Sequence, residues 1–182
     1  MNRIAEFVFE ALFLKHIPRS GYQFLGMGRD TVAEHTFAAT FIAFILSKLE
    51  PQADAERLIT MCLVHDLPEA RTGDLNYVQK RYVTSDETSA AADALRDLPF
   101  RGQITELLTD FKQGVSLESK LAHDADQLAL IVDLKSLKDL GYHSPQQWLP
   151  HVEKRLQTQV AKQLAQALIG TPRDGWWFRL FC

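Results

Sequence analysis

Apolar residues recur at helical spacing along nearly the whole of this sequence. No segment longer than four residues alternates between apolar and polar side chains as a strand does. No repeat of about 20 to 50 residues is visible. The 182 residues suffice for one domain with a substantial core, but not for two full domains. We therefore predict an all-α, compact, single-domain fold over residues 1–182.

The first third of the chain carries clear helix signals. An amphipathic helix from Ile4 is predicted to end near Lys15, and residues 18–30 then form a loop long enough to suggest a functional role. Thr31 and Glu34 make a capping-box pattern that opens the next helix. The apolar side chains of this second helix cover almost all of its faces, so we expect it to be the central helix of the fold.

The remaining helices are predicted from caps, prolines and glycines. The predicted segments are Asp54 to Asp66 with a further turn from Pro68, an alanine-rich helix capped by Thr84 and Glu87, Ile104 to Gly114, Ser116 to Gly141, and Ser144 to Gly170. The aromatic tail Trp176–Phe178 is expected to pack back on the body, because it would otherwise form an exposed apolar patch.

Composition excludes several classes of protein. A net charge of −3 with 46% hydrophobic residues excludes a strongly basic surface for a nucleic-acid polymer and the signature of disorder. The chain has two cysteines and no CxxC pair, and Cys62 lies in an apolar run. Glu6 and Glu10 interrupt any secretory signal, and the longest apolar stretch is about half a membrane span. We expect a cytoplasmic protein without a membrane partner.

The dipeptide His65-Asp66 is the first candidate for chemistry, since GxGxxG, P-loop and GxSxG motifs are absent. Composition predicts about 0.4 such dipeptides and the chain has two, so the dipeptide alone is weak evidence. This one ends a very apolar helix, where a carboxylate needs a metal or a cation partner. Glu69 and Asp74 follow closely. A helix terminus with solvated charges remains an equally weighted alternative.

His35 lies in the first turn of the central apolar helix. Taken alone, a histidine there is more often a hydrogen-bonded core residue than a ligand. If His35 faces His65 across two packed helices, however, the two imidazoles form a nitrogen-ligand pair. Together with carboxylates, such a pair suits divalent Mn, Co, Fe or Zn.

Several segments together resemble the HD-domain metal-dependent phosphohydrolases, and within them the 5′-deoxynucleotidase branch. The segments cover residues 18–127, and their joint spacing is far more specific than the His-Asp pair. They are Pro18–Tyr22, similar to an R-x-G-W loop; Thr31–His35, similar to E-S-V-A-E-H; His65–Ala70 with Gly73-Asp74, similar to H-D-x-x-E plus G-D; and Glu118-x-Lys120 with Asp126-Gln127, similar to E-x-K…D-Q.

This resemblance implies one divalent ion (Co, Mn, Zn, Fe or Mg) and a set of roles around it. The ion ligands it implies are His35, His65, Asp66 and Asp126. Glu69 orients or activates the attacking water, and Asp74 acts as an acid toward the leaving 5′ oxygen or positions the sugar. Arg19 clamps the phosphate, because a guanidinium matches two phosphate oxygens. The resemblance also implies that Tyr22 and Lys120 contact the substrate, for which a packed loop or a surface ion pair is an equally weighted alternative, and that the protein forms a homodimer.

Two neighbours compete with Asp126 for the place of fourth ligand. Asp124 shares the apolar stripe of its helix, and His123 lies three residues before Asp126. The pattern alone leaves this choice open, and the resemblance selects Asp126. Residues 67–122 contain no histidine, which argues against a second metal ion supported by histidine.

The function that the resemblance implies is hydrolysis of 5′-deoxyribonucleoside monophosphates to deoxynucleoside and phosphate. The alternatives are another HD reaction, on cyclic nucleotides or (p)ppGpp, and a non-enzymatic helical module with a structural metal. Glu69 and Asp74 argue against the last, because a structural site would not need them. The chain departs from the branch where Asp30-Thr31 replaces Glu-Ser and Tyr22 replaces Trp, both near the expected substrate end.

Overall fold

The computed structural model describes residues 1–181, and Cys182 lies outside the described residues. Within that range the chain forms eleven α-helices, two short 3₁₀ segments and no β-strand, which confirms the all-α prediction. The helices are α1 (Asn2–Leu12), α2 (Tyr22–Leu25), α3 (Val32–Leu49), α4 (Ala55–Val64), α5 (Glu69–Thr72), α6 (Glu87–Ala94), α7 (Arg101–Gln113), α8 (Leu117–Asp139), α9 (Pro145–Glu153), α10 (Gln159–Gly170) and α11 (Gly175–Phe178).

The start of α3 is fixed by the predicted capping box. The Thr31 hydroxyl accepts a hydrogen bond from the Glu34 amide at 3.2 Å, and the Glu34 carboxylate accepts one from the Thr31 amide at 2.8 Å. The loop before it closes on itself, because Pro18 and Thr31 form an antiparallel bridge and the Arg19 amide donates to the Asp30 carbonyl. Arg19 and His35 are thus attached to the same rigid helix end.

Two apolar clusters make up the core. In the larger cluster, α3, α4 and α8 pack together with α9 and α10, and residues such as Leu46, Met61 and Leu128 are fully buried. Each such side chain contributes about 1.5–3 kcal/mol on burial. A smaller cluster around Leu95 joins α6 and α7 to α1. Val64, the last residue of α4, packs against both clusters, so the following residues emerge where the two meet.

Two predicted helix boundaries are wrong. The alanine-rich helix is capped by Asp86, whose carboxylate accepts from the Ser89 amide, rather than by Thr84. The segment from Ser144 to Gly170 is two helices, because the chain breaks over residues 154–158 before α10.

A buried carboxylate explains that break. Asp124 on α8 is completely buried and accepts hydrogen bonds from the Gln157 amide at 2.7 Å, the Thr158 amide at 2.8 Å and the Thr158 hydroxyl at 2.6 Å. The Thr158 hydroxyl in turn accepts from the Ala161 amide and caps α10. Asp124 therefore holds α10 on α8, and its oxygens are already occupied.

The prediction that α3 is the central helix is confirmed, since it packs against both α4 and α8, but one of its apolar faces is not covered. Phe37, Phe41 and Phe44 lie at i, i+4 and i+7, are 73%, 57% and 42% exposed, and form a phenylalanine stripe on the outer face of α3. By length and apolar composition alone, α3 is the one helix among residues 1–181 that could cross a membrane, and 39% of it is buried in the protein.

The aromatic tail does not pack back on the body as predicted. Trp176 is 76% exposed and Phe178 is 52% exposed, and within the tail the Trp177 ring lies tilted against Phe178 and edge-on to Phe181. The tail therefore adds a second exposed apolar surface to that of the phenylalanine stripe.

We predict that Asp124→Ala lowers the free energy of unfolding by about 3–5 kcal/mol, because it leaves two buried backbone amides and a hydroxyl without their acceptor. Urea denaturation measures this. Glu56→Ala, which removes an exposed carboxylate from α4, is the control and is expected to change stability by less than about 0.5 kcal/mol. A loss below about 1 kcal/mol in Asp124→Ala would contradict the anchoring role.

Candidate functional site

His35 and Asp126 meet where α3 packs against α8. His35 is 2% exposed, and its Nε2 lies 2.7 Å from Oδ1 of Asp126. Burial has the largest single effect and opposes the charged imidazole, but the hydrogen bond that the ring donates to Asp126 and the negative charges of Asp126 and Asp66 together raise the pKa of His35. Burial likewise opposes the charged carboxylate most strongly, yet the same hydrogen bond and the positive charges of His35, His65 and Arg19 together lower the pKa of Asp126. The pair is a buried nitrogen and oxygen donor set that shares one proton.

His65 follows the last residue of α4, and its ring is oriented by the backbone. Its Nδ1 lies 2.8 Å from the Cys62 carbonyl oxygen, which can only accept, so Nδ1 carries the proton and Nε2 presents a lone pair. The His65 and His35 ring centroids are 6.2 Å apart. Asp66 Oδ1 lies 3.2 Å from His65 Nε2. The two adjacent side chains thus address the same point beside the helix end.

These residues fit a divalent metal ion. One ligand atom from each of His35, His65 and Asp126 lies within 4.8 Å of the others, and Asp66 is beside them. Among the described residues, His65 Nε2 and Asp66 Oδ2 are buried without a hydrogen-bond partner. Buried polar atoms without partners are costly, and two imidazoles with carboxylates suit a divalent transition metal. A bound ion would also displace the proton shared by His35 and Asp126.

Glu69 lies one turn after Asp66, at the start of α5, and is 9% exposed. Its burial first, and then the charges of Asp66 and Asp74, raise the pKa of its carboxyl. Its Oε2 is another buried atom without a partner in the described part of the chain. Glu69 is therefore a carboxyl group that takes up a proton readily, next to the candidate metal ligands.

Asp74 connects the Arg19 loop to the segment after α4. Gly73 adopts φ +72°, a conformation that favours glycine, and turns the chain after α5. Asp74 Oδ2 then accepts from the Ser20 amide at 2.7 Å and the Ser20 hydroxyl at 3.3 Å. Arg19 Nη1 lies 3.7 Å from Asp66 Oδ2. The predicted phosphate clamp is thereby held beside the predicted ligands.

A cavity of about 840 Å³ opens over this cluster. Eight of the nine predicted site residues line it: Arg19, Tyr22, His35, His65, Asp66, Glu69, Asp74 and Asp126. Lys120 is not among the residues that line the cavity, so its predicted contact with substrate has no geometric support. Six residues separate it from Asp126, about 240° around an α-helix, which places it on another face of α8.

The two competitors of Asp126 have other partners. Asp124 is the fully satisfied anchor of α10. His123 lines the cavity, but its Nε2 lies 2.8 Å from the Phe111 carbonyl oxygen and its ring stacks on Phe111. Asp126 is the residue of the three whose oxygen comes close to His35 and His65.

Asp133 also lines the cavity but is not among the site residues predicted from the sequence. It follows Asp126 by seven residues, two helical turns on the same face of α8, and this spacing was the signal that could have found it. The Tyr22 hydroxyl donates to Asp133 Oδ2 at 2.5 Å. Burial and, to a smaller extent, the charge of Asp133 raise the pKa of that hydroxyl, so Tyr22 stays protonated.

Asp30 lies near the same carboxylate. Burial and, to a smaller extent, the charge of Asp133 raise the pKa of Asp30 to about 6.

Comparisons with known proteins agree with this geometry. A family model described as "HD domain" matches residues 12–168. Human 5′-deoxynucleotidase HDDC2 is 25% identical over 138 residues, covering 72% of this chain, and the match spans 66% of the human protein. The structure described as "crystal structure of genomics APC5600" aligns with a TM-score of 0.76 at 29% identity, over 97% of this chain and 99% of that one. The PH0347 protein from Pyrococcus horikoshii OT3 aligns with a TM-score of 0.74 at 25% identity, over 90% and 95%.

We predict that Asp30→Asn stabilises the protein only above about pH 4. A carboxyl whose pKa is raised from 3.8 to about 6 on folding binds more protons folded than unfolded, so its contribution to stability falls as pH rises through that window. The melting temperature of Asp30→Asn minus that of the wild type should be smallest below pH 4 and reach its maximum above pH 6. A difference that does not change between pH 4 and pH 7 would contradict the raised pKa.

Proposed function

Because the chain belongs to the HD-domain family, we propose that it is a divalent-metal-dependent phosphomonoesterase that hydrolyses 5′-deoxyribonucleoside monophosphates to deoxynucleoside and phosphate. The observation that carries the proposal is the meeting of His35, His65 and Asp126 at one buried point, beside Glu69 and Arg19 in one cavity. The names of the human and fission-yeast relatives, both 5′-deoxynucleotidases, support the choice of substrate.

The residues that would hold the ion are His35, His65, Asp66 and Asp126. When bound, a divalent ion supplies Lewis-acid polarisation of a phosphoryl oxygen and neutralises charge that develops in the transition state. The nitrogen and oxygen donors are held in place by the packing of α3, α4 and α8 rather than by a mobile loop. The centre is therefore organised before substrate arrives.

Glu69 is the proposed general base. Without an ion, burial and the charges of Asp66 and Asp74 raise its pKa to about 9, so a bound divalent ion beside it would be needed to return the carboxyl to its proton-accepting form. Its Oε2 has no competing hydrogen bond among the described residues. It takes a proton from the attacking water as the water oxygen bonds to phosphorus. The 5′ oxygen leaves with the bonding pair and takes up a proton, either the one that Glu69 has accepted from the water or one from solvent. Asp74 keeps one carboxylate oxygen that Ser20 does not bind, with which it orients the sugar or the leaving group.

Arg19 is the proposed phosphate-binding residue. Burial opposes its charge, but Asp66 and Asp126 hold the guanidinium in the charged form by raising its pKa. Its backbone amide is bound to the Asp30 carbonyl, which fixes the loop that carries it. A planar guanidinium can donate to two phosphate oxygens at once.

Tyr22 is the proposed wall of the nucleoside pocket. Its hydroxyl is held by Asp133, and Gly28 lies directly behind its ring, where a built Cβ would come within 3.1 Å of the ring. The side chain therefore has little freedom to move when substrate enters. A homodimer and a cytoplasmic location, both expected from the sequence analysis, remain predictions beside this proposal.

The direct test is phosphate release from deoxy- and ribonucleoside 5′-monophosphates, with chelator-stripped protein refilled with Mn, Co, Zn or Mg. We expect release from deoxy substrates that one metal restores. Glu69→Gln and Arg19→Gln are each expected to lower kcat/KM by at least about 10²-fold, because they remove the base and the phosphate clamp. Glu56→Gln, on the exposed face of α4, is the control and should keep full activity.

The other outcomes separate the alternatives. Release from cyclic nucleotides or from (p)ppGpp, but not from 5′-monophosphates, would replace the proposal by another HD reaction. Stoichiometric metal binding without hydrolysis of any of these substrates would favour a helical module with a structural metal.

A further inference from the structure

We infer that Lys80 and Arg155 form a second anion subsite at the mouth of the cavity, which binds a further phosphate group carried by the same nucleotide. The inference rests on the proposed function, because the first phosphate is taken to lie at the candidate metal centre. The further phosphate has two chemical sources, the 3′ position of the sugar and a second phosphate on the 5′ chain. Neither residue has a role in the proposed hydrolysis.

Arg155 is held in a fixed position near the metal centre. Its Nη1 donates to Gln127 Oε1 at 3.3 Å, and Gln127 Nε2 donates to Asp126 Oδ2 at 2.6 Å. Its guanidinium also lies over the Tyr77 ring, 4.9 Å from the ring centroid. Arg155 is therefore two hydrogen bonds from a candidate ligand, and most of its N–H donors remain available to a ligand in the cavity.

Lys80 lies on the same side of the mouth. It is three residues after Tyr77, and its backbone amide donates to the Asn76 carbonyl in the turn that carries both side chains. Both Lys80 and Arg155 line the cavity, and neither forms an ion pair with a carboxylate within residues 1–181. Tyr77 thus contacts Arg155 and lies on the same turn as Lys80, whose charge also acts on the Glu69 carboxyl across the cavity.

A cation with fixed contacts, as Arg155 has, serves binding rather than attraction at a distance. Long-range attraction of an anionic substrate depends on summed charge and does not require that any side chain be held in place. A guanidinium that receives a phosphate through parallel hydrogen bonds does require fixed orientation. The cavity of about 840 Å³ lies in the upper part of the range for small-molecule sites, which leaves room for a group beyond the metal centre.

Calorimetry on the full-length, metal-loaded protein that carries Glu69→Gln, which removes the proposed base, tests the inference without turnover. The ligands are a deoxynucleoside 5′-monophosphate, the matching 3′,5′-bisphosphate and the matching 5′-diphosphate. We expect at least one of the two doubly phosphorylated ligands to bind at least tenfold more tightly than the monophosphate, and the tighter of the two identifies the source of the second phosphate. Equal affinity for all three ligands would overturn the inference.

The variants Arg155→Gln and Lys80→Gln locate the subsite. Each variant should bind the doubly phosphorylated ligand at least tenfold more weakly than the wild type does, and the monophosphate less than threefold more weakly. Lys112→Gln is the matched control, because it removes the same charge from the lining of the same cavity while its ammonium group is directed to the Thr88 hydroxyl. Loss of affinity by the same factor for mono- and doubly phosphorylated ligands would show simple charge attraction and overturn the subsite.

Two further measurements distinguish a variant that fails to fold from a failure of the proposed function or of the subsite. Melting temperatures of the variants report folding, and Lys80→Gln changes an exposed residue of a short turn, so it remains informative if Arg155→Gln is unstable. If no mononucleotide is hydrolysed but the variants still lose the doubly phosphorylated ligand selectively, the proposed function fails and the subsite stands. If monophosphates are hydrolysed but the variants keep their affinity for the doubly phosphorylated ligands, the proposed function stands and the subsite is overturned.

Discussion

The packing of α3 against α8 is the contact on which the site depends. It buries His35 and brings its Nε2 to 2.7 Å from the partly exposed Asp126, where the apolar core meets the cavity. Burying an imidazole and a carboxylate is costly unless each has a partner, so the two helices must meet in this register. The end of α4 adds His65 and Asp66 where the two apolar clusters join. Their buried, unpartnered atoms leave the arrangement incomplete without a cation.

Local signals predicted much of the fold, and contacts distant in sequence explain the errors. The caps at Thr31 and Ser116 and the glycine after α7 act within one turn, and all three are present. The break before α10 could not be predicted locally, because it arises when Asp124 binds amides more than 30 residues away. Apolar periodicity indicated a helix at residues 32–49 but not which faces would be covered, so the exposed phenylalanine stripe was missed.

The residues of the candidate site likewise fall into those that local spacing predicts and those that only contacts distant in sequence explain. Spacing along the chain located the residues after α4, and the family resemblance was needed to prefer Asp126 over Asp124 and His123. The structure gives the physical reason, since those two residues are engaged by α10 and Phe111. Asp133 lay within reach of a search along one face of α8, whereas the Arg155–Tyr77 contact joins segments 78 residues apart, and no local pattern encodes it.

The central claim is that one divalent ion is held where α3, α4 and α8 meet. The most direct measurement is anomalous diffraction at the zinc edge from crystals grown with Zn²⁺. We expect one strong peak about 2.0–2.2 Å from nitrogens of His35 and His65 and from oxygens of Asp66 and Asp126. The absence of a peak at that point, or a peak coordinated by His123 or Asp124 instead, would contradict it.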